Sequence, residues 1–428
     1  MVMEKFVIEG GNPLQGEITP SGSKNEALPA LAATILGADV TRLQNVPRIQ
    51  DVFVMIELLE LLGAKVGWID AHTVDVDPTG VNNSELPEKL ARSLRASILL
   101  AGPLLGRLGR VILPPPGGDV IGRRRLDSHF LGFRTLGATI ETDQIFSVTA
   151  PKLTGTDIFL DEPSVTGTEN IIMAAVRAMG RTTLRNAACE PHVQGLCHLL
   201  NKMGASISGI GTNCLQINGV NQLRGATHRI GSDYLEIGSI IGLAAVTQSP
   251  LTIHNCDPED LRMIRLVFHK IGIDFEIINR SIRLSGNQPL EIRTDLLNQI
   301  PQIADGPWPM FPTDMMSVAI TAATQATGTI LFFEKMFDGR MFFVDSLIAM
   351  GARIILCDPH RVAITGPSPL FGGTLESPDV RAGMALVIAA LCARGTSTIY
   401  NIRQIDRGYE RLEEKLAPLG AKIKRMPV

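Results

Sequence analysis

The sequence predicts an α/β protein of two domains, each assembled from three units of about 70 residues. One ground is composition. The chain has 428 residues, 45% of them hydrophobic and only 19% charged, which is ample for more than one core at roughly 150 residues per domain. The other ground is an internal repeat: an apolar residue, Gly, usually Ala, a variable residue, then another apolar one. It recurs as Leu62-Gly63-Ala64-Lys65-Val66, Leu136-Gly137-Ala138-Thr139-Ile140 and Met203-Gly204-Ala205-Ser206-Ile207. Weaker in Ile271-Gly272-Ile273-Asp274-Phe275, it returns as Met350-Gly351-Ala352-Arg353-Ile354 and Leu419-Gly420-Ala421-Lys422-Ile423. Successive glycines are 74, 67, 68, 79 and 69 residues apart. Six such units fill the chain, each too long for a solenoid repeat.

Each glycine follows an amphipathic stretch, as in 52–62 and 411–419, and stops a helix because it takes a left-handed backbone at no side-chain cost. Strand-like residues come next. Upstream lies a second phrase, Gly and a short strand, as in Gly180-Arg-Thr-Thr-Leu-Arg-Asn186, Gly328-Thr-Ile-Leu-Phe-Phe333 and Gly395-Thr-Ser-Thr-Ile-Tyr-Asn401. Before it come helices of small residues, 171–179 and 382–393, whose Ala and Gly permit close packing inside. Each unit therefore reads strand, buried helix, strand, surface helix, strands. Two triplets place one domain at 24–234 and the other at 1–23 plus 235–428, the first closing near Ile230-Gly231-Ser232-Asp233. If strand 4–8 pairs with the last unit, the chain crosses twice between domains and leaves a cleft, a favoured ligand site.

A net charge of −3 gives no electrostatic reason to bind nucleic acid or an anionic membrane. Aromatics at 5% are too few for a base-stacking surface. None of the six cysteines forms a Cys-x-x-Cys pair, which suits a reducing compartment. The longest apolar run, 382–393, falls short of the ~20 residues a spanning helix needs, and the first residues lack the apolar stretch of a secretory signal. The expectation is a cytoplasmic protein with no membrane or nucleic-acid partner.

Four loops combine charge with glycine or a helix start. In the first, 111–129, a strand ends at Pro114-Pro115-Pro116, then Gly117-Gly118-Asp119 leads to Gly122, Arg123, Arg124, Arg125 and Asp127. Glycine lets backbone approach a ligand, and the planar arginine fork suits phosphate and carboxylate, so this is a candidate anion loop rather than a solvated charge run. The second, Pro20-Ser21-Gly22-Ser23-Lys24-Asn25-Glu26, precedes a helix at 27–36. Its spacing is not that of a nucleotide phosphate loop. Lys24 at a helix start is an anion ligand or an exposed lysine beside a plain cap. The third, Phe311-Pro312-Thr313-Asp314-Met315-Met316, precedes a helix at 317–323; the plainer reading of Asp314 is an N-cap. The fourth runs from Gln404 to Arg411 and contains Arg407. Arg95, Arg340 and Arg381 also sit at element ends, where a lone arginine is usually solvated or paired with a carboxylate. Cys189, His192, Cys197 and His198 do not have the spacing of a structural zinc site, and no metal is expected.

Together these segments resemble the enolpyruvyl transferases, in the branch that acts on UDP-N-acetylglucosamine. The likeness spans the chain through Leu14-Gln-Gly-Glu17, Ser21-Gly-Ser-Lys-Asn25, Leu94-Arg-Ala-Ser-Ile98, Gly102-Pro-Leu104, Phe311-Pro-Thr-Asp-Met315 and Ile405-Asp-Arg-Gly-Tyr-Glu-Arg411. The resemblance implies two inside-out α/β domains with the active site in the inter-domain cleft. It also implies transfer of enolpyruvate from phosphoenolpyruvate to a sugar 3′-hydroxyl with release of phosphate, at the start of peptidoglycan precursor synthesis, without a cofactor. By the same resemblance Lys24, Arg124 and Arg407 hold the donor, with Arg95, Arg340 and Arg381 in support. Asp314 accepts the hydroxyl proton and Asn25 orients substrate. Residues 123–127, among them Arg125 and Asp127, together with Ser164, Val165 and Met336, contact the acceptor. A monomer or weak homo-oligomer is expected.

Departures from the pattern bear on chemistry and acceptor. Asp119 stands where a cysteine is usual, so the epoxide fosfomycin, which alkylates that thiol, is expected to leave this chain unlabelled. Gln50 replaces a lysine, Arg125 a proline, Glu162 a lysine and Thr166 a glycine, and Trp308 stands where histidine is common. Two lost cations and a gained carboxylate weaken the case for a diphosphate acceptor. Rival readings are another acceptor, either shikimate 3-phosphate or a different nucleotide or nucleotide sugar, and a non-catalytic nucleotide-sugar sensor.

Overall fold

The computed structural model describes residues 3–118 and 121–428. Their contacts sort them into two units. The first comprises residues 3–21, 121–123 and 232–428; the second comprises 22–118 and 124–231. The chain leaves the first unit between Ser21 and Gly22 and returns between Gly231 and Ser232, where the sequence places the domain boundaries at 23–24 and 234–235.

The second unit has three sheets. Two are four-stranded, ordered Thr227–Arg229, Thr41–Gln44, Val74–Asp77, Lys65–Trp68 and Ser206–Ser208, Cys214–Asn218, Arg181–Arg185, Asp157–Phe159. The third, Arg110–Leu113, Phe146–Thr149, Thr139–Thr142, keeps only a single parallel bridge, Glu85 to Ile112, in the fourth place. The helices Lys24–Ala33, Ala101–Leu108 and Val165–Ala175 supply its core.

The first unit repeats the plan. Its sheets run Thr374–Glu376, Thr396–Tyr400, Glu4–Glu9, Lys422–Pro427; then Glu276–Ile278, Ser281–Leu284, Leu251–Ile253, Gly16–Ile18; then Gln302–Ala304, Gly328–Phe333, Arg361–Gly366, Ile354–Asp358. The strand Glu4–Glu9 pairs antiparallel with two strands of the last repeat. Every residue of the helices Tyr234–Val246 and Met316–Ala323 is buried. Helices apolar all round belong inside a core, and glycine sets their spacing. A Cβ at Gly238 would lie 2.5 Å from Met315 Cε, and one at Gly242 would lie 2.7 Å from Val318 Cγ1.

The repeat has a backbone cause. Gly63, Gly137, Gly204, Gly272, Gly351 and Gly420 all have φ between 80° and 111°, the left-handed turn that ends each surface helix. A second mark escaped the sequence reading. Asn45, Asn186 and Asn401 leave their strands at φ of 55–59°, and their side-chain amides donate to Ile230, Leu160 and Ser377 carbonyls at 2.9 Å. Each ties a strand end to its parallel neighbour.

Several helices start earlier than the sequence suggests: at Lys24 rather than 27, Val165 rather than 171, and Val380 rather than 382. Their first turns carry polar residues that read as loop but are buried or half-buried, such as Glu26, Thr166 and Arg381. Among the described residues no helix is long and apolar enough to cross a membrane.

Candidate active site

In the first unit Asp314 lies on the short turn Thr313–Met315 that leads into the helix Met316–Ala323. It makes no cap. One carboxylate oxygen accepts from Arg340 Nη2 at 2.8 Å and the other from Arg381 Nε at 3.1 Å. Its side chain is 25% exposed, against 7% and 5% for the two arginines. Arg381 opens the helix Val380–Cys392, whose N-cap Asp379 accepts from its backbone N–H. Its Nη1 also donates to Tyr409 Oη at 3.3 Å. Burial works against both guanidinium charges. For Arg381 it is outweighed by Tyr409, Asp314 and Asp233, and for Arg340 by Asp314, Asp379 and Glu334, so both stay above the ordinary arginine value. Arg340 Nε is buried with no hydrogen-bond partner among the described residues.

The loop carrying Arg340 is braced by residues that went unnoticed in the sequence. Glu334 Oε1 accepts from Met336 and Phe337 N–H, at 2.9 and 3.0 Å, and its Oε2 accepts from Thr313 Oγ1 at 2.8 Å. Burial, with Asp305 alongside, pushes Glu334 up to about 8. Met336 itself is exposed. Gly339 N–H donates to Ile121 C=O at 3.0 Å, so residues just beyond the glycine-rich loop pack on the turn before Arg340. Asp119 lies outside the described residues. Arg407 follows the short helix Arg403–Asp406 and donates to Gln404 Oε1 at 3.0 Å. That helix is anchored by Asp406, which takes two hydrogen bonds from Arg425, at 2.7 and 2.9 Å.

In the second unit Lys24 is the first residue of its helix. Ser23 makes no side-chain cap, and the lysine is not exposed: Nζ lies 2.8 Å from Asp51 Oδ2, with side-chain exposures of 12% and 5%. Asn25 follows, half-buried. Gln50 opens the helix Gln50–Leu61 beside Asp51. Arg95 donates through Nη2 to the carbonyls of Arg124 and Arg125, at 3.0 and 3.3 Å. Burial, with the charge of Arg124 adding to it, lowers its pKa to about 10. A Cβ at Gly118 would lie 2.7 Å from Arg95 Cβ and 3.4 Å from Arg124 Nη1. Glycine there is what lets the loop lie on two arginines.

The residues expected on the acceptor side form a second cluster in this unit. Arg125 Nε pairs with Asp127 at 3.0 Å and its Nη2 with Asp161 at 3.3 Å. Both carboxylates, with Glu162 further off, raise its pKa. Ser164 caps the helix Val165–Ala175 by accepting from Gly167 N–H at 3.2 Å, and Val165 is that helix's first residue. Thr166 Oγ1 lies 3.1 Å from Nε2 of the buried His129, whose Nδ1 accepts from Asn170 Nδ2 at 2.9 Å. Asn170 Oδ1 takes the Gly102 N–H at 2.7 Å, which fixes the amide, so the His129 proton sits on Nε2 and is donated to Thr166. Burial first, then Arg95, depresses His129 to about 3. Two of the departures thus have partners, Arg125 in Asp127 and Asp161 and Thr166 in His129. Trp308 packs on Tyr234, ring centroids 5.8 Å apart.

Cys197 is buried and its neighbour His198 exposed. Among the described residues no group of three or more His, Cys, Asp or Glu side chains is placed to hold a metal.

Residues 8–416 match the EPSP synthase (3-phosphoshikimate 1-carboxyvinyltransferase) family. The chain belongs to this enolpyruvyl transferase family. A UDP-N-acetylglucosamine 1-carboxyvinyltransferase of Treponema denticola is 56% identical over 98% of this chain and 99% of its own length. One from Bradyrhizobium diazoefficiens is 54% identical over 99% and 98%. The enolpyruvyl transferase NikO from Streptomyces tendae has the same fold, with a TM-score of 0.88 at 24% identity over all of both chains. EPSP synthase from Acinetobacter baumannii shares it at 0.77 and 19%, over 99% of this chain and 100% of that one. The three-helix, three-sheet units are therefore the family fold, two inside-out α/β bodies of three repeats each.

Proposed function

We propose that this enolpyruvyl transferase moves enolpyruvate from phosphoenolpyruvate to the 3′-hydroxyl of UDP-N-acetylglucosamine, releasing phosphate. The observation that carries this is the full-length likeness to relatives of that activity, at 56% identity. The geometry supports it. The attacking hydroxyl loses its proton to Asp314, whose two oxygens are already oriented by Arg340 and Arg381. The oxygen bonds to C2 of the donor while C3 gains a proton, for which Asp119 is the assigned acid. The C3 proton then leaves, the C2–O bond to phosphate breaks, and the enol ether remains. Proton transfers of this kind contribute ~10²–10⁴-fold each. Lys24, Arg95, Arg124 and Arg407 neutralise the donor phosphate and carboxylate, and Asn25 orients substrate. Arg125, Asp127, Ser164, Val165 and Met336 hold the acceptor. The reaction takes place in the cytoplasm, at the first committed step of peptidoglycan precursor synthesis.

Phosphate release with phosphoenolpyruvate plus each of UDP-N-acetylglucosamine, shikimate 3-phosphate and other nucleotide sugars tests this. Turnover confined to the first supports it; turnover confined to another acceptor, or binding without turnover, rejects it. Lys24→Ala and Arg407→Ala are each expected to weaken phosphoenolpyruvate binding about 10²-fold by calorimetry, the scale for removing one partner of a charge-assisted contact. Unchanged donor affinity would remove that residue from the donor set.

A further inference from the structure

The passages of the chain between units at 21–22 and 231–232 are built alike. The helix Lys24–Ala33 begins just after the first passage, and its third residue, Glu26, is buried at 6% exposure. Glu26 Oε2 accepts from Gly231 N–H at 2.9 Å, and Oε1 accepts from His228 Nε2 at 2.8 Å. His228 lies on the strand Thr227–Arg229. Its Nδ1 accepts from Lys202 Nζ at 3.3 Å, which leaves the ring proton on Nε2, aimed at Glu26. Ser23 N–H donates to Gly231 C=O at 2.7 Å. The pocket for this carboxylate depends on Gly195, where a Cβ would come within 2.4 Å of it.

The first unit has the counterpart. The helix Tyr234–Val246 begins just after the second passage, and its third residue is Glu236, 3% exposed. Its Oε2 accepts from Ser21 N–H at 3.0 Å and its Oε1 from Lys415 Nζ at 2.6 Å, while Asp233 N–H donates to Ser21 C=O at 2.9 Å. In both places a buried carboxylate takes one backbone N–H from the segment of the other passage and one side-chain donor. Burying a carboxylate is unfavourable unless both oxygens are served, so each is a specific clamp. The two differ in what stands beside them. Glu26 follows Lys24 and Asn25 directly; Glu236 follows no donor-binding residue.

We infer that Glu26 is a positioning residue, and that His228 acts through it. By gripping Gly231 and His228, Glu26 fixes the first turn of its helix and so places Lys24 and Asn25 against the donor. The kinetic part of this inference rests on the function proposed above.

Glu26→Gln is isosteric but puts an amide N–H against Gly231 N–H or His228 Nε2–H, donor facing donor. His228→Leu removes the side-chain donor, and His228→Gln keeps one. The measurements are steady-state kinetics with phosphoenolpyruvate at saturating UDP-N-acetylglucosamine, and hydrogen exchange of the Gly231 amide in the ligand-free full chain. Glu26→Gln and His228→Leu should raise the phosphoenolpyruvate KM about tenfold with kcat held within about threefold, because a misplaced binding group costs binding before chemistry. Gly231 exchange should quicken about tenfold in Glu26→Gln as its acceptor is lost. His228→Gln should restore a KM near that of the parent. A fall in kcat at unchanged KM, the mark of lost folded protein alone, would overturn the inference; so would unaltered Gly231 exchange in Glu26→Gln. If the parent protein releases no phosphate, the proposed function fails separately. Calorimetric phosphoenolpyruvate affinity then decides the inference, about tenfold weaker in Glu26→Gln if it holds and unchanged if it does not.

Discussion

Arg340 and Arg381 in the first unit and Arg95 in the second are all drawn largely out of water, yet their charges are handled in opposite ways. The first two share a carboxylate, Asp314, and are held more firmly protonated by it and its neighbours. Arg95 spends its hydrogen bonds on backbone carbonyls and sits within range of another cation, so its charge is less favourable than in water. The first cluster balances its charges within itself. Two like charges held close together favour an anion beside them. We propose that the contrast separates an acid–base role for Asp314 in the first unit from an anion-binding role for Arg95 in the second.

The largest expected effect tests the acid–base side. Asp314→Asn keeps shape and loses the basic oxygen; kcat in the phosphate-release assay should fall about 10³-fold with acceptor affinity by calorimetry retained. A residual rate near that of the parent would reassign the base. Next is the difference in what each arginine does for stability. Arg381→Met takes one of two arginine partners from the half-buried Asp314 and one hydrogen bond from the buried Tyr409, and should cost about 3 kcal/mol in urea unfolding. Arg95→Met removes a repelled charge and two hydrogen bonds to carbonyls, and should cost only about 1 kcal/mol. Equal losses would erase the contrast.

Much of the fold could be read from glycine alone, because the six repeat glycines answer one backbone requirement, positive φ at a helix end. The site was half legible. Lys24, Asp314, Arg340, Arg381 and Arg95 stand at element ends, where a charged residue is conspicuous. Glu334, Tyr409, His129 and Asn170 were not assigned, since a polar residue in sequence looks solvated whether or not it is buried. What reveals their role is a partner far along the chain, such as Thr313 for Glu334 or Thr166 for His129. The same limit applies to Arg125, whose place beside Asp127 and Asp161 shows only in the fold. A compensating pair is invisible one position at a time.

His129 sharpens the contrast through pH. Its folded pKa of about 3 lies below the ordinary histidine value, through burial and then Arg95. Below pH ~6.5 the unfolded chain takes a proton that the folded one refuses, so stability falls as pH drops from there toward 3. Glu334, raised to about 8, runs the other way: its contribution is full below its unfolded value and is lost as pH rises through 8. The comparison of parent with His129→Gln isolates the histidine. Between pH 7.5 and 5.0 the parent should lose about 2 kcal/mol more than the variant in urea unfolding. An identical pH dependence would mean that His129 protonates without leaving its pocket.

The smallest effect addresses Arg95 most directly. If it and Arg124 form an anion station, inorganic phosphate should stabilise the ligand-free protein by relieving their repulsion. Linkage sets the size: at ten times its dissociation constant a ligand adds about 1.4 kcal/mol to the native state, a few degrees at most in the thermal midpoint of a chain this long. Chloride at equal ionic strength controls for screening, which acts on all exposed charge. Arg95→Met should lose the phosphate increment while keeping the chloride response, whereas Asp314→Asn should keep both. Phosphate stabilisation that survives Arg95→Met would place the anion elsewhere, and the two arginine groups would then differ in burial rather than in task.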